Sequence, residues 1–229
     1  MNINKYKQVY DDIESEIINN IAFYISLYED QKKVYSTKIA ELQLRIYTQI
    51  EFLLKEIYYD ICKDPVEDPS YDYDCLKYIK LNNSNSLISN DENNNEGYKL
   101  NQLAYIHWDL FHLENKLYQP FEMNVAKIKN IDDNDQPITD DNKKTYKWNN
   151  AYQNLRHNFG KSIRYFGTIE YLFESLAVFT LLLGQNSKIF TIVQYIDDQK
   201  NEISGWVPSR GFIRKSWSLN NAGAHNNEN

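Results

Sequence analysis

The sequence predicts an all-α bundle of four to five helices with an irregular middle and a small β-leaning appendage at its C-terminal end. Three observations carry that prediction. Apolar residues recur at helical spacing through most of the first 62 positions, and a second helical pattern near residue 170 is apolar almost all round. Glycine is scarce, at 7 of 229 residues, while tyrosine is abundant at 19, a balance that suits aromatic-packed helices better than glycine-dependent nucleotide loops. The length fits one substantial core, and no break in composition argues for two independent domains.

The first helix is expected over 5–28, on the stripe Ile13, Ile17, Ile21, Tyr24, Ile25 and Tyr28. A second follows over 32–62, on Ile39, Leu42, Ile46, Ile50, Leu53, Leu54, Ile57 and Ile61, with Pro65 and Pro69 ending the run. The stretch "EDQKK" either breaks the two or lies exposed within one longer helix. The stretch "NNSNSLISNDENNNEG" is too polar to order itself by burial, so 82–97 is expected to be a mobile insertion. Helical periodicity resumes with Leu100, Leu103, Ile106, Leu110, Leu113 and Leu117, which predicts a third helix over 98–118. The next segment, with two prolines and an acidic run, reads as an irregular crossover.

A fourth helix is expected over 145–159, because Trp148, Tyr152, Leu155 and Phe159 share a face, with Gly160 as its stop. The fifth, 168–183, contains "LAVFTLLL" and should be the buried centre of the bundle, ending at Gly184. Residues 1–184 thus make the bundle. Residues 185–219 form an appendage whose two β-leaning runs suggest a hairpin, and 220–229 a disordered tail.

Charge is distributed unevenly. The chain carries −7, yet residues 142–169 hold no Asp or Glu while Lys143, Lys144, Lys147, Arg156, Lys161 and Arg164 supply six positive charges, leaving −13 for the rest. Global acidity argues against indiscriminate DNA binding, whereas a local basic strip remains compatible with a small or structured RNA. The N-terminal stretch "MNINKYKQVYDDIESE" lacks the apolar segment of a secretory signal, and the longest apolar run is far below the roughly 20 residues that cross a bilayer. A cytoplasmic protein without membrane contact is expected. Cys62 and Cys75 lie in no metal-ligand or redox spacing and should be free thiols.

Familiar enzyme signatures are missing: the sequence has no phosphate-cradling glycine loop, no serine elbow and no His-Glu-x-x-His zinc motif. His107 and His112, five apart, share a helical face poorly, and His225 lies in the tail without context. His157 has more around it. Arg156 beside it could hold a phosphate, and an imidazole exchanges protons near neutral pH, so the pair could assist a ribose 2′-OH without a metal or cofactor. Asn150, Asn154 and Tyr152 lie on the same helix as supporting groups. Glu51 sits between Ile50 and Leu53, close to the buried stripe, where a lone carboxylate is costly; Arg156 or His157 on a packed neighbouring helix could partner it.

At these residues the sequence resembles the HEPN superfamily, the nucleotide-binding helical domains found in bacterial toxin and antiviral systems. The resemblance lies in the order of parts: an early helix like "QIEFLLKEIY", a loop-rich middle, then "W-x-x-A-Y-x-x-x-R-H" at Trp148, Tyr152, Arg156 and His157, followed by the apolar "TIEYLFESLAVFTLLL". It covers about 38–62 and 145–184. It implies a metal-independent endoribonuclease or RNA- or nucleotide-engaging protein of a defence or toxin-type system, with Arg156 and His157 catalytic, while the unopposed charge itself points to Lys143, Lys144, Lys147, Lys161 and Arg164 on nucleic acid. It also implies a homodimer, since two copies of one Arg-His set give a composite cleft. Active ribonucleases of the superfamily carry Arg-x4-6-His, whereas Asn150, Ala151 and Tyr152 occupy the positions where that Arg would stand. The alternative is a non-catalytic interaction or sensor module in which the basic helix 145–159 docks a partner protein.

Overall fold

Helix α2 (Thr37–Ile61) shows how closely local sequence governs the centre of this protein. Ser36 caps it, its hydroxyl accepting from the Ile39 N–H at 3.1 Å, and the buried residues Ile39, Leu42, Ile46, Ile50, Leu53, Leu54 and Ile57 follow the stripe read from the sequence. The computed structural model describes residues 3–22, 31–79, 106–108, 117–118, 120–123, 125–183, 191–196, 202–207 and 212–214. Ahead of α2 lie α1 (Ile3–Ile17) and a π-helical turn (Ile18–Ala22), with Tyr10, Ile13, Ile17 and Ile21 in the core. The chain between α1 and α2 does break. Residues 31–33 turn, Tyr35 bridges to Thr168, and the Ile169 and Glu170 N–H groups donate to the carbonyls of Val34 and Lys32, both at 3.0 Å. This segment therefore caps the start of the next core helix with backbone rather than side chain.

That helix is α5 (Ile169–Leu183), preceded by α3 (Lys147–His157) and α4 (Phe159–Phe166). Thirteen of its fifteen residues are buried, so it has no solvent face and forms the bundle's centre against α1, α2 and α3. Gly167 is required where α4 turns into α5, because a Cβ there would lie 2.6 Å from the Ile163 carbonyl oxygen and 3.1 Å from the Ala40 methyl. After α2, a π-helical turn (Tyr71–Cys75) and a helical turn at 76–79 bring Tyr71, Cys75, Leu76 and Ile79 against the core. Cys62 and Cys75 are free thiols, and burial pushes the Cys75 thiol up to about 12.

The middle of the chain departs from expectation. Where a helix over 98–118 is predicted, Ile106–Trp108 is strand β1, paired antiparallel with β2 (Leu117–Tyr118), Ile106 opposite Tyr118. Tyr, Ile, Trp and Leu at these points suit a pleated surface as well as a helix, and spacing alone does not separate the two. The deciding partner is remote: a later strand, Phe212–Arg214, closes the sheet on β1's other edge. The predicted irregular crossover is also ordered, as the hairpin of β3 (Val125–Ile131) and β4 (Pro137–Thr145). Only Ile128 and Ile131 of this hairpin are buried. Its register is interrupted between Ala126 and Lys127 and between Ile128 and Asn130, so no clean alternation marks it as strand.

The helix expected over 145–159 begins two residues later, since Thr145 ends β4, and it stops at His157 rather than at Gly160. Asn158 (φ −148°, ψ 53°) breaks it, and Gly160 falls inside α4. The hairpin expected in the appendage is present: β5 (Thr191–Ile196) pairs antiparallel with β6 (Glu202–Val207), Thr191 opposite Val207, followed by β7 (Phe212–Arg214). The architecture is thus mostly helical with small antiparallel sheets. The insertion expected at 82–97, the stop at Gly184 and the tail at 220–229 lie outside the described residues. Among the described residues no helix is long and apolar enough to cross a membrane.

Candidate functional site

On α2 the buried stripe leaves Leu44, Thr48, Glu51 and Phe52 along one flank, at spacings that keep them on adjoining faces. On the facing helices, Tyr152, Leu155 and Arg156 of α3 and Phe159 at the start of α4 form the opposite flank. Together these eight residues line an open groove of about 540 Å³. Phe52, 52 % exposed, stands at its edge.

The polar floor of the groove is one connected unit. The Tyr152 hydroxyl donates to Glu51 Oε2 at 2.9 Å, Arg156 Nη1 donates to the Tyr152 oxygen at 3.3 Å and lies 3.6 Å from the same carboxylate oxygen, and Lys55 Nζ is 3.9 Å from Oε1. The carboxylate beside the buried stripe is therefore compensated, and Arg156 rather than His157 supplies the partner. The guanidinium also lies 5.6 Å from the centre of the Tyr152 ring. Burial, reinforced by the hydrogen bond and charge of Glu51 and opposed by Arg156, pushes the Tyr152 phenol up to about 12. It stays a neutral donor at physiological pH. Half of the Arg156 side chain remains exposed, and Tyr152 and Glu51 engage it through Nη1, which leaves further guanidinium N–H donors available.

His157 is exposed and does not line the groove. Adjacent residues of an α-helix point about 100° apart. Arg156 and His157 accordingly diverge, and among the described residues His157 makes no hydrogen bond or ion pair.

The supporting asparagines serve the hairpin instead of the groove. In the orientation that satisfies both of its ends, the Asn150 carboxamide donates to the Ile128 carbonyl at 3.1 Å and accepts from the Ile128 N–H at 3.0 Å. Asn154 Nδ2 donates to the same carbonyl at 3.1 Å. These two buried amides hold β3 on α3 at the register break between Ile128 and Asn130. On a further face, Asn149 and Gln153 engage the Tyr71 hydroxyl, which donates to Asn149 Oδ1 at 2.6 Å, while Asn149 Nδ2 donates to Asp72.

The basic strip, unopposed in sequence, is opposed in space. Lys147 pairs with Glu170, Lys161 Nζ donates to Asp133 at 2.8 Å, and Arg164 Nη1 donates to Asp135 at 2.7 Å. Lys143 and Lys144 are exposed on β4, where Lys143 adds to the Lys129 hydrogen bond that holds Asp140 below its ordinary value. The five lysine and arginine side chains expected on nucleic acid are thus spread over β4, α3 and α4 instead of lining one cleft. Sequence reasoning missed Phe52 and the acidic hairpin turn. A signal existed for Phe52, a large aromatic lying off the Ile/Leu stripe of α2. None existed for Asp133 and Asp135, whose partners lie 28 and 29 positions away.

Comparison of the chain with family models, with characterised proteins and with solved structures gives no match in any of the three.

Proposed function

We propose that the protein is an RNA- or nucleotide-engaging helical domain of the HEPN-like kind, and that the groove between α2 and α3–α4 is where one nucleotide unit sits. The observation that carries this is the half-exposed guanidinium of Arg156 at the floor of a groove whose rim is aromatic. A base packs against Phe52 and Phe159, and the adjoining phosphate takes the Arg156 donors that Tyr152 and Glu51 leave free. Glu51 and Tyr152 hold the guanidinium in place, so its position does not depend on ligand. Cleavage, in this proposal, requires His157 to reach the phosphate from beyond the rim.

The test is binding of a labelled single-stranded RNA, followed by anisotropy. Phe52→Ala and Arg156→Ala each weaken binding by about tenfold or more, the scale of one lost stacking contact of ~1–3 kcal/mol or one charge-assisted contact. His157→Ala leaves binding intact and removes any cleavage. Unchanged binding in both groove variants sinks the proposal.

A second reading has its own support: Arg156, Lys147, Lys161 and Arg164 all face carboxylates, which leaves little of a continuous phosphate track. The groove then docks an aromatic-bearing acidic segment of a partner protein. That reading is favoured if a synthetic Asp/Phe-rich peptide binds and depends on Phe52 while RNA does not compete.

A further inference from the structure

Two of the ion pairs on the basic strip differ in kind from the others. Glu51 and Glu170 belong to core helices and are held in place by them, whereas Asp133 and Asp135 belong to the tip of a hairpin. The tip is shaped by its own contacts: Asp132 Oδ1 accepts from the Asn134 N–H at 2.8 Å and the Gln136 N–H at 2.7 Å, and Asp135 takes the left-handed conformation at φ 59°. Neither Asp133 nor Asp135 contributes a carboxylate to that turn. Their carboxylates go to α4 instead, to Lys161 at 2.8 Å and Arg164 at 2.7 Å, one helical turn apart. All four side chains remain accessible, from 46 % for Asp135 to 91 % for Asp133.

The hairpin is anchored elsewhere. Ile128 and Ile131 are buried, and Asn150 and Asn154 clip the Ile128 backbone, while beyond them Asn158 donates to Asn130 at 2.9 Å at the surface. Both buried anchor points, Ile128 and Ile131, lie outside the tip residues 132–136. Exposed ion pairs are weak and screened by salt, so a ligand bringing several linked phosphates competes with them effectively.

We infer that the acidic tip at Asp133 and Asp135 is an intramolecular stand-in for phosphate, neutralising Lys161 and Arg164 until a polyanion displaces it. As an RNA contact this rests on the function proposed above; as a displaceable stand-in it rests only on the hairpin's own geometry. Helix α4 carries both Phe159, which lines the groove, and the paired cations, but at about 100° per residue Lys161 and Arg164 stand on the far side of the helix from Phe159, so they form a phosphate contact separate from the groove, reached by RNA that passes around α4 once the tip lifts.

The experiment compares wild type with D133N/D135N, and with D60N/D64N as an equal change of net charge at exposed positions away from α4. The probes are a fluorescein-labelled 20-mer of uridylate and inorganic tripolyphosphate, with amide exchange across 131–137 as a second readout. D133N/D135N is expected to bind the 20-mer about tenfold more tightly at 50 mM salt, with a log–log salt slope steeper by about 1.4 for two newly freed single-strand phosphate contacts. D60N/D64N should not reproduce the change in slope. Faster exchange at 131–137 is expected when wild type meets either probe. If tripolyphosphate speeds exchange while no variant binds the 20-mer, the stand-in role holds and the RNA function falls. Equal slopes for wild type and D133N/D135N, or a tip whose exchange responds to neither probe, overturn the stand-in role.

Discussion

Helix α5 and the β3–β4 hairpin lie side by side with α3 in the same molecule, yet they are held by opposite means. Thirteen of the fifteen residues of α5 are buried, and the hairpin buries two isoleucines among its sixteen strand residues. Hydrophobic burial, at roughly 25 cal/mol per Å² of apolar surface removed from water, suffices to hold α5. For the hairpin it does not, since an isolated two-stranded hairpin is marginal in water. The hairpin is instead fastened by specific polar contacts, two amides on the Ile128 backbone and Asn158 on Asn130, to which the two exposed ion pairs at the tip add little. The two elements should therefore fail differently. Losing apolar contact dissolves the whole; losing a polar contact frees one element.

The largest effect is expected from Leu176→Asp in α5. An unpaired carboxylate in a fully buried site costs more than 4–5 kcal/mol, on the order of the whole stability of a domain, so a cooperative thermal transition by circular dichroism should vanish. A wild-type-like melt would break the claim that α5 is central. Next comes Asn154→Ala, which removes one of the two amides on the Ile128 carbonyl and, with Asn150 still donating to it, costs about 0.5–1.5 kcal/mol. Amide exchange should accelerate in 125–145 while α5 keeps its protection, and uniform loss across both elements would erase the distinction.

A smaller effect is expected at the groove floor in alkali. The Tyr152 phenol, raised by burial and by Glu51, is protonated more firmly in the folded than in the unfolded state. Its contribution to stability is therefore fully present below pH 10 and is lost as pH rises through about 12. The difference in ultraviolet titration between wild type and Tyr152→Phe should locate this group, and Glu51→Gln should bring its midpoint down while burial keeps it above 10. A Tyr152 midpoint unmoved by Glu51→Gln would show that burial alone sets it. The smallest stability effect belongs to Phe52→Ala, within about 0.5 kcal/mol because the ring is already half in water. Its melting temperature should barely move, whereas the proposed RNA binding should fall.

Much of the core was legible because its signal is local. The stripe on α2, the apolar circumference of α5, the stop before Pro65 and the β5–β6 hairpin each follow from residues within one element. The need of Glu51 for a cationic partner was legible too, since a carboxylate beside Ile50 and Leu53 carries its cost wherever the partner comes from. Which residue would meet it was not legible. Arg156 and His157 are neighbours in the chain, and only the rotation of α3 against α2 turns one into the groove and the other away.

The sequence by itself determined the helices that are buried by their own pattern, because a 3.6-residue period written into the chain forces a face to be covered. Tertiary structure decided β1, β3 and β4, the groove and the fate of the basic strip. A strand is completed by a partner that can lie a hundred residues away, as β7 does for β1. Likewise Lys161 and Arg164 stand in a stretch of sequence without a single acid, yet Coulombic attraction acts through space, and the fold sets Asp133 and Asp135 within 3 Å of them.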